Sequence, residues 1–253
     1  MRNLTKQIKR IVYIVTVNFI FINSICGQVT RVLYKNNLYG GDINVTKLPE
    51  EKKKGLSVKQ IELLEEMMRS EANTEFELFY NKEKSLYQKV VDMDVAEESN
   101  FNKLISNNKY YKNLISKIKL YQTESSGLYN VIVPYEQYKW EITTETKVIN
   151  GYKCYKATTT YEDLYNPFKD RKLVLNPVIW FTPDIPASFG PLGLDGLPGL
   201  VLEATINGKK YIYAVKIEFD YKKLKEIEKP KGGKDVTEKE LENIIVENFK
   251  KDQ

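Results

Sequence analysis

Histidine is absent from the 253 residues of this chain. The absence excludes Ser-His-Asp and Cys-His catalysis and most zinc sites, because each needs an imidazole as base or ligand. A paired-carboxylate or Ser-Lys mechanism remains open, but no motif marks either one. The sequence therefore predicts no catalytic residue, no metal site and no cofactor, and an enzyme is less favoured than a non-enzyme.

Long hydrophobic runs are lacking except at the amino terminus. Four basic residues among the first ten precede a mostly apolar run over residues 11–25. The run is short for a membrane span and ends near the small residue Gly27. It predicts a signal peptide over residues 1–27 and Sec-type export to the periplasm, the medium or the cell surface. A lipid anchor on Cys26 is less favoured, because Ile25 rather than a small residue precedes it.

Charge of one sign is also lacking once residues 1–27 are set aside. Those residues hold four of the 39 basic residues and none of the 34 acidic ones, so the rest of the chain is nearly neutral. This balance gives no basis for binding nucleic acid. Cys154 is then the one remaining cysteine, which excludes an internal disulfide, and we expect it to be buried as a small hydrophobic side chain.

Two Asn-Gly pairs flanked by alternating apolar residues are the clearest local signals. Both residues tolerate the positive φ that a two-residue hairpin turn requires. A hairpin centred on Asn150-Gly151 would place Ile149 opposite Tyr152 and Lys147 opposite Cys154.

The second pair, Asn207-Gly208, predicts a hairpin of the same kind. It would place Ala204 opposite Tyr211 and Leu202 opposite Tyr213. These residues would together form one apolar face of the sheet.

Further strands are predicted where Tyr, Val, Ile and Thr are enriched. They are Val29–Tyr34, Thr74–Tyr80, Ser85–Val91, Tyr110–Gln122, Leu128–Pro134 and Val178–Thr182. The predicted fold is mainly β: a curved antiparallel sheet, as an open or half-closed barrel, with two accessory helices.

The two helices are predicted from capping boxes, in which a Ser or Thr precedes a Gln or Glu by three residues. Ser57 with Gln60 begins a helix over residues 57–72, and Thr237 with Glu240 begins one over residues 237–253. The domain prediction is therefore a β domain over residues 28–222 with an inserted helix, a polar linker over 223–236 and a carboxyl-terminal helix.

Glycine recurs at every third position in FGPLGLDGLPGLVLE, residues 189–203. Four such triplets are too few for a collagen helix. A phosphate-binding loop is excluded because no Gly-Lys-Ser/Thr follows and the next element is a strand. Residues 183–199 therefore predict a long apolar connection that must bury its side chains, folding over the sheet as a plug or lid.

Three separated motifs in this region resemble a known family. They are GLPGLVLE at 196–203, WFTPDIPASFGP at 180–191, and KWEI with ETKVINGYKCYKA within 139–157. Together they resemble the GLPGLI family of exported bacterial proteins, with Val201 in place of the usual Ile. The resemblance implies export and a family without an established biochemical activity, and it supplies no catalytic residues.

The function predicted from these features is a non-catalytic envelope binding module for a hydrophobic ligand or peptide. A semi-apolar sheet face under an apolar loop is how many ligand-holding barrels are built. The alternative is a structural or assembly protein of the envelope that acts through protein partners. The predicted ligand-binding side chains are Trp180, Phe189, Leu192, Leu194, Leu197 and Glu203.

Three carboxylates near the loop invite a paired-carboxylate or metal interpretation. Asp184 lies at the start of the loop, Asp195 near its end and Glu203 after it. A structural role is preferred, since Asp195 precedes Gly196 in a turn pair and Glu203 lies diagonal to Lys210 in the second predicted hairpin.

Overall fold

The computed structural model describes residues 28–38, 48, 50–90, 107–124, 127–166, 171–208 and 210–251. The predicted signal peptide lies outside these residues. Among the helices in the described ranges, none is long and apolar enough to cross a membrane.

Within the described ranges the chain forms fourteen strands and three α-helices. The strands are β1 (Thr30–Leu38), β2 (Glu75–Tyr80), β3 (Lys84–Lys89), β4 (Lys109–Asn113), β5 (Ile118–Glu124), β6 (Leu128–Ile132), β7 (Glu141–Ile149), β8 (Tyr152–Thr158), β9 (Tyr161–Asn166), β10 (Arg171–Leu175), β11 (Val178–Thr182), β12 (Leu200–Thr205), β13 (Lys210–Glu218) and β14 (Lys234–Thr237). The helices are α1 (Glu50–Lys53), α2 (Val58–Asn73) and α3 (Glu238–Lys251), with a 3-10 turn at Pro191–Gly193.

Twelve strands form one open sheet in the order β14-β6-β5-β4-β3-β2-β1-β13-β12-β11-β8-β7. Neighbours are antiparallel except β14, which pairs with β6 in parallel. Strands β9 and β10 form a separate hairpin. The predicted mainly-β fold, a curved antiparallel sheet that is not closed, is confirmed.

The inner face of the sheet is defined here by a row of side chains in register across five strands. Val32, Leu78, Tyr87, Tyr110 and Tyr121 are successive cross-strand neighbours from β1 to β5. Successive side chains of a strand point to opposite faces, so all five lie on one side. This face carries the main core of the protein.

The apolar connection over residues 183–199 packs on the inner face. Ile185, Ala187 and Phe189 belong to the core cluster of Val32 and Leu78. Leucines later in the loop join a second cluster against β11 and β12. Burial of these side chains explains why a loop can be this apolar.

The outer face of the sheet is covered by the chain that follows β13. Ile227 is fully buried there. It packs with Val29, Phe79, Tyr111 and Leu120. The segment 223–236, interpreted from sequence as a polar linker, thus contributes a core residue and most of strand β14 to the sheet.

The first predicted hairpin forms as expected between β7 and β8. Ile149 lies opposite Tyr152, and Lys147 lies opposite Cys154. Asn150 and the glycine after it have φ values of 51° and 82°, as this turn requires.

The predicted register of the second hairpin is wrong. Tyr213, expected opposite Leu202, pairs with Glu203, and Ala204 pairs with Ile212. The connection between β12 and β13 is longer than the two-residue turn assumed from the sequence. Because side chains alternate along a strand, this shift places Ile212 on the inner face with Ala204 and moves Tyr213 to the opposite face.

The segment Tyr110–Gln122, predicted as one strand, is a hairpin formed by β4 and β5. The Asn113 side-chain oxygen accepts hydrogen bonds from the backbone N–H groups of Ile115 (2.9 Å) and Ser116 (3.0 Å). Lys117 completes the turn with φ 55°. Asn is favoured at this position because its side chain mimics a backbone turn.

Both predicted capping boxes are confirmed. The N–H of Ser57 donates to Gln60 Oε1 (2.8 Å), and the N–H of Gln60 donates back to Ser57 Oγ (3.3 Å). The N–H of Thr237 donates to Glu240 Oε2 (2.7 Å) in the same way. The reciprocal bonds satisfy N–H groups that a helix start leaves unpaired.

At two positions of the triplet pattern, another backbone segment lies so close that only glycine fits. A Cβ on Gly199 would lie 2.2 Å from the carbonyl oxygen of Thr182. A Cβ on Gly190 would lie 2.3 Å from the carbonyl oxygen of Leu194. The two glycines between them have φ of +69° and +95°. The glycines of this pattern therefore serve two purposes, close backbone packing and turns. Neither purpose depends on their regular three-residue spacing.

Gly199→Ala should destabilise the protein by up to about 3 kcal/mol, because backbone atoms must move to accept the methyl group. Gly208→Ala is the matched control: its Cβ meets no atom within 4 Å, and only its φ of +71° is unfavourable. We expect about 1 kcal/mol for the control. Denaturant unfolding measures both, and equal losses would contradict the packing argument.

Candidate functional site

A cavity of about 630 Å³ lies beside the apolar loop. Its walls come from the inner face of β3–β5, the 3-10 turn, the hairpin β9–β10 and the start of α3. The polar and aromatic groups that line it include Tyr87, Tyr110, Tyr121, Tyr138, Tyr161, Lys112, Lys119, Glu162, Asp163, Asp195 and Glu238.

Three of the tyrosines are brought together by strand register. Tyr87, Tyr110 and Tyr121 are cross-strand neighbours on β3, β4 and β5. The ring centroids of Tyr87 and Tyr110 are 6.0 Å apart, and those of Tyr110 and Tyr121 are 5.8 Å apart. Aromatic pairs at such distances stabilise adjacent strands, so the row has a structural role as well.

Two further tyrosines come from outside these strands. Tyr138 follows β6 and Tyr161 begins β9, and their rings meet edge to face at 5.4 Å. Burial raises the pKa of Tyr121, Tyr138 and Tyr161 above the ordinary phenol value. All three are therefore neutral at physiological pH and can donate or accept a hydrogen bond.

A buried ion cluster in the wall of the cavity joins the loop to the sheet. Asp195 Oδ1 lies 2.8 Å from Lys112 Nζ and 3.3 Å from Lys119 Nζ. The Trp140 indole N–H donates to the Asp195 carbonyl oxygen at 2.7 Å. Asp195 is therefore a structural anchor that fixes the loop to β4 and β5, as its preferred structural interpretation indicated.

The two lysines carry more positive charge than one carboxylate can compensate. Tyr135 lies under the Lys112 ammonium at 4.6 Å, and Tyr138 lies under that of Lys119 at 4.4 Å. Burial lowers the pKa of Lys119 and Lys112 acts in the same direction, while Asp195 opposes them. The tyrosine rings contribute favourable cation–π contacts where water is excluded.

Asp195→Asn should cost about 3–5 kcal/mol of folding stability, because it leaves Lys112 and Lys119 buried without a counter-charge. Glu145→Gln is the control, since it removes an exposed ion pair with Lys156 that is worth at most about 1 kcal/mol. Urea unfolding of both variants measures the difference. An Asp195 variant as stable as the control would show that the cluster does not anchor the loop.

Two further carboxyl groups that line the cavity come from α3 and β9. Glu238 is the first residue of α3, and Asp163 lies on β9. Burial raises the pKa of Glu238; Lys172 opposes this rise, and Asp163 and Glu242 add to it. Glu238 thus holds its proton to a higher pH than an exposed glutamic acid does.

The raised pKa of Glu238 makes folding less favourable as the pH rises. Below the unfolded value, about 4.3, both states are protonated, and above it the folded state must ionise a carboxyl that binds its proton more tightly. Glu238→Gln should therefore raise the unfolding midpoint at pH 7 and leave it unchanged near pH 3.

Glu240 should have the opposite effect on the pH dependence of folding stability, because hydrogen bonds from Thr237 lower its pKa. Its ionised form stabilises the folded state above the unfolded pKa, so Glu240→Gln should lower the midpoint at pH 7. Thermal unfolding from pH 3 to pH 7 checks both variants. Parallel pH profiles of Glu238→Gln and the parent would contradict the assignment.

The residues predicted from sequence as ligand-binding are dispersed in the structure. Leu192 lines the cavity. Phe189, Leu194 and Leu197 are packed in the core, with at most 3% of their surface exposed. Their apolar character is explained by burial against the sheet.

Trp180 and Glu203 do not line this cavity. They are cross-strand partners on β11 and β12. Lys147 Nζ lies 2.6 Å from Glu203 Oε1 and 4.4 Å from the centre of the Trp180 ring. This arrangement is a cross-strand ion pair covering an aromatic ring.

Cys154 is fully buried in the main core. Burial raises the pKa of its thiol to about 11. The thiol is therefore protonated and a poor nucleophile at physiological pH. Within the described ranges, no three Cys, Asp or Glu side chains are grouped as metal ligands.

Sequence reasoning did not identify Tyr121, Tyr138, Tyr161 and Glu238 as a group. Alternating tyrosines on the predicted strands were a visible signal for the first of them. The meeting of a loop, a separate hairpin and a helix start at one cavity depends on tertiary packing and has no local signature.

The comparisons with known proteins identify a family. Residues 106–242, more than half of the chain, match a family model described as N-glycanase peptide, N-terminal domain. A comparison with curated protein sequences finds no match.

Two solved structures of PNGF-II are similar in fold. The one in space group P21 has a TM-score of 0.53 and 16% identity, and the alignment covers 87% of this chain and 33% of that chain. The one in space group C2 has a TM-score of 0.48 and 16% identity, with 83% and 31% covered. The chain thus spans about a third of the length of PNGF-II.

These findings correct the function predicted from the sequence. The match to an N-glycanase family overturns the prediction of a non-catalytic binding module for a hydrophobic ligand or peptide, and with it the assembly-protein alternative. The comparisons give no support to the GLPGLI resemblance, and the matched region includes the residues on which that resemblance was based.

Proposed function

This chain belongs to the family of N-glycanase N-terminal domains, and we propose that it acts in the enzymatic release of N-linked glycans from glycoproteins. An N-glycanase removes N-linked glycans, and the family membership is the observation that carries the proposal. The part of the protein that engages the substrate is the tyrosine-lined cavity.

The cavity has acid–base groups suited to such a hydrolysis. Cleaving an amide or glycosidic bond requires one group to protonate the leaving atom and another to accept a proton from water. Glu238, with its raised pKa, is suited to hold and donate a proton. Asp163 is exposed at the same cavity and is placed to act as the base.

Other candidate groups are committed to structural roles. Asp195 is held by Lys112 and Lys119, and Glu203 is held by Lys147. The chain has no histidine. Among the carboxyl groups that line the cavity, Asp163 and Glu238 are the pair that we assign to proton transfer.

The test is release of N-glycans from a denatured N-glycosylated protein by the purified chain. Mass spectrometry should show loss of the glycan mass from the protein. Glu238→Gln and Asp163→Asn should each slow release about 100-fold, the lower end of the contribution of an acid–base group.

Glu145→Gln serves as the control, because its carboxyl forms an exposed ion pair on β7 away from the cavity. Folded parent protein that releases no glycan would contradict the proposed function. Release that persists in both cavity variants would keep the function and reject the roles of Asp163 and Glu238.

A further inference from the structure

The two carboxyl groups assigned to proton transfer come from elements that no shared sheet holds together. Asp163 lies on β9, and Glu238 begins α3. Among the described strands, β9 and β10 pair with each other and with no strand of the twelve-stranded sheet. The placement of Asp163 relative to Glu238 therefore depends on side-chain contacts between the hairpin β9–β10 and the rest of the protein.

Aromatic and apolar side chains make some of these contacts. The ring of Tyr161 lies 5.4 Å from that of Tyr138, and Leu164 packs against the cluster that contains Leu241 of α3. Hydrophobic contacts are non-directional. They keep the hairpin near α3 without fixing how the two elements are aligned.

An ion pair supplies the alignment. Lys172 Nζ on β10 lies 2.8 Å from Glu242 Oε1 on α3, and the Glu242 side chain is only 4% exposed. A hydrogen bond between charged groups is shorter and stronger than one between neutral groups. Glu242 is four residues after Glu238, so both lie on the same face of the helix. Lys172 therefore joins the hairpin to the face of α3 that carries Glu238.

A second cavity, of about 550 Å³, shows how Lys172 is placed relative to the carboxyl pair. Asp163 and Glu238 line this cavity as well as the tyrosine-lined one. Lys172 and Glu242 line the second cavity and not the first. Lys172 thus reaches the carboxyl pair through the second cavity and does not touch a substrate in the first.

The charge of Lys172 also acts on Glu238. Burial raises the pKa of Glu238, and Lys172 is the largest influence that opposes the rise. Removal of Lys172 should therefore raise this pKa further. The other titratable groups around Glu238 are Asp163 and Glu242, which raise its pKa, Lys119, which lowers it, and Tyr121, Tyr138, Tyr161, Glu162 and Lys239.

A second lysine on the same carboxylate provides an internal comparison. Lys239 Nζ lies 3.2 Å from Glu242 Oε2, but Lys239 belongs to α3 itself. It compensates the charge of Glu242 without joining two elements. Loss of either lysine leaves Glu242 with the other, so neither loss should unfold the protein.

We propose that Lys172 is a positioning residue for the carboxyl pair: it holds the hairpin β9–β10 against α3 and so fixes Asp163 relative to Glu238. The consequence for catalysis rests on the proposed function. The attachment of the hairpin to α3 does not.

Hydrogen exchange of backbone amides, measured by mass spectrometry, tests the attachment. Lys172→Met keeps the apolar stem and removes the charge, and it should speed exchange in β9 and β10 about tenfold. Lys239→Met is the matched control and should exchange like the parent there. Lys172→Arg keeps the charge and should restore slow exchange.

A double-mutant cycle tests the effect on Glu238 without an activity assay. At pH 7, Glu238→Gln should raise the unfolding midpoint more in the Lys172→Met background than in the parent, because the carboxyl there binds its proton more tightly. Near pH 3, Glu238 is protonated in both states, and the substitution should have no effect in either background. A merely structural role of Lys172 would leave the gain at pH 7 equal.

Glycan release tests the consequence for catalysis. Lys172→Met should lower kcat about tenfold with little change in KM, since a misplaced acid–base group slows the chemical step. The alkaline limb of its pH profile should move to higher pH, because Glu238 keeps its proton longer. Lys239→Met should match the parent in both respects.

Failure of this inference and failure of the proposed function are distinguishable. Equal hairpin exchange in Lys172→Met and Lys239→Met, an equal gain from Glu238→Gln in both backgrounds, or an unchanged kcat in Lys172→Met would overturn the positioning role even if glycans are released. Faster hairpin exchange in Lys172→Met alone, in folded protein that releases no glycan, would support the attachment and reject the function.

Discussion

The contact between Asp195 and two lysines is the constraint on which the arrangement of the inner face depends. A single carboxylate oxygen holds Lys112 from β4 and Lys119 from β5. The apolar loop over residues 183–199 must therefore pass close to these two strands. Removing water from the three charges costs free energy, and the contact offsets this cost only because its geometry is closely held. The cluster of Asp195, Lys112 and Lys119 thus determines where the loop lies and holds it in that position.

The cavity exists because the loop is fixed at this point. Its apolar side chains fill the inner face from β1 to β3 and from β11 to β13. Beyond Asp195, the tyrosines on β4 and β5 are covered only partly, by the hairpin β9–β10 and the start of α3. Tyrosine rings, lysine ammonium groups and carboxyl groups therefore face a space that no other described segment of the chain fills. The loop acts as core packing on one side and as the wall of a site on the other.

This division explains why the hydrophobic-ligand hypothesis was attractive and wrong. The glycine triplets and leucines do belong to a loop over the sheet, but most of the leucine side chains are buried against the sheet. The open space beside them is lined by tyrosines and charged groups as well as by aliphatic side chains. The finding that overturns the hydrophobic-ligand hypothesis is the match to an N-glycanase family.

The sequence by itself determined the elements with local causes: the strand-rich class, both capping boxes and the hairpin at Asn150-Gly151, each set by interactions within a few residues. It did not determine the register of β12 with β13, where Ile212 rather than Tyr211 lies opposite Ala204. It also did not reveal the meeting of Tyr121, Tyr161 and Glu238, which are distant along the chain. Only tertiary structure decided these features, because they depend on long-range packing and on the charge cluster that holds the loop against the sheet.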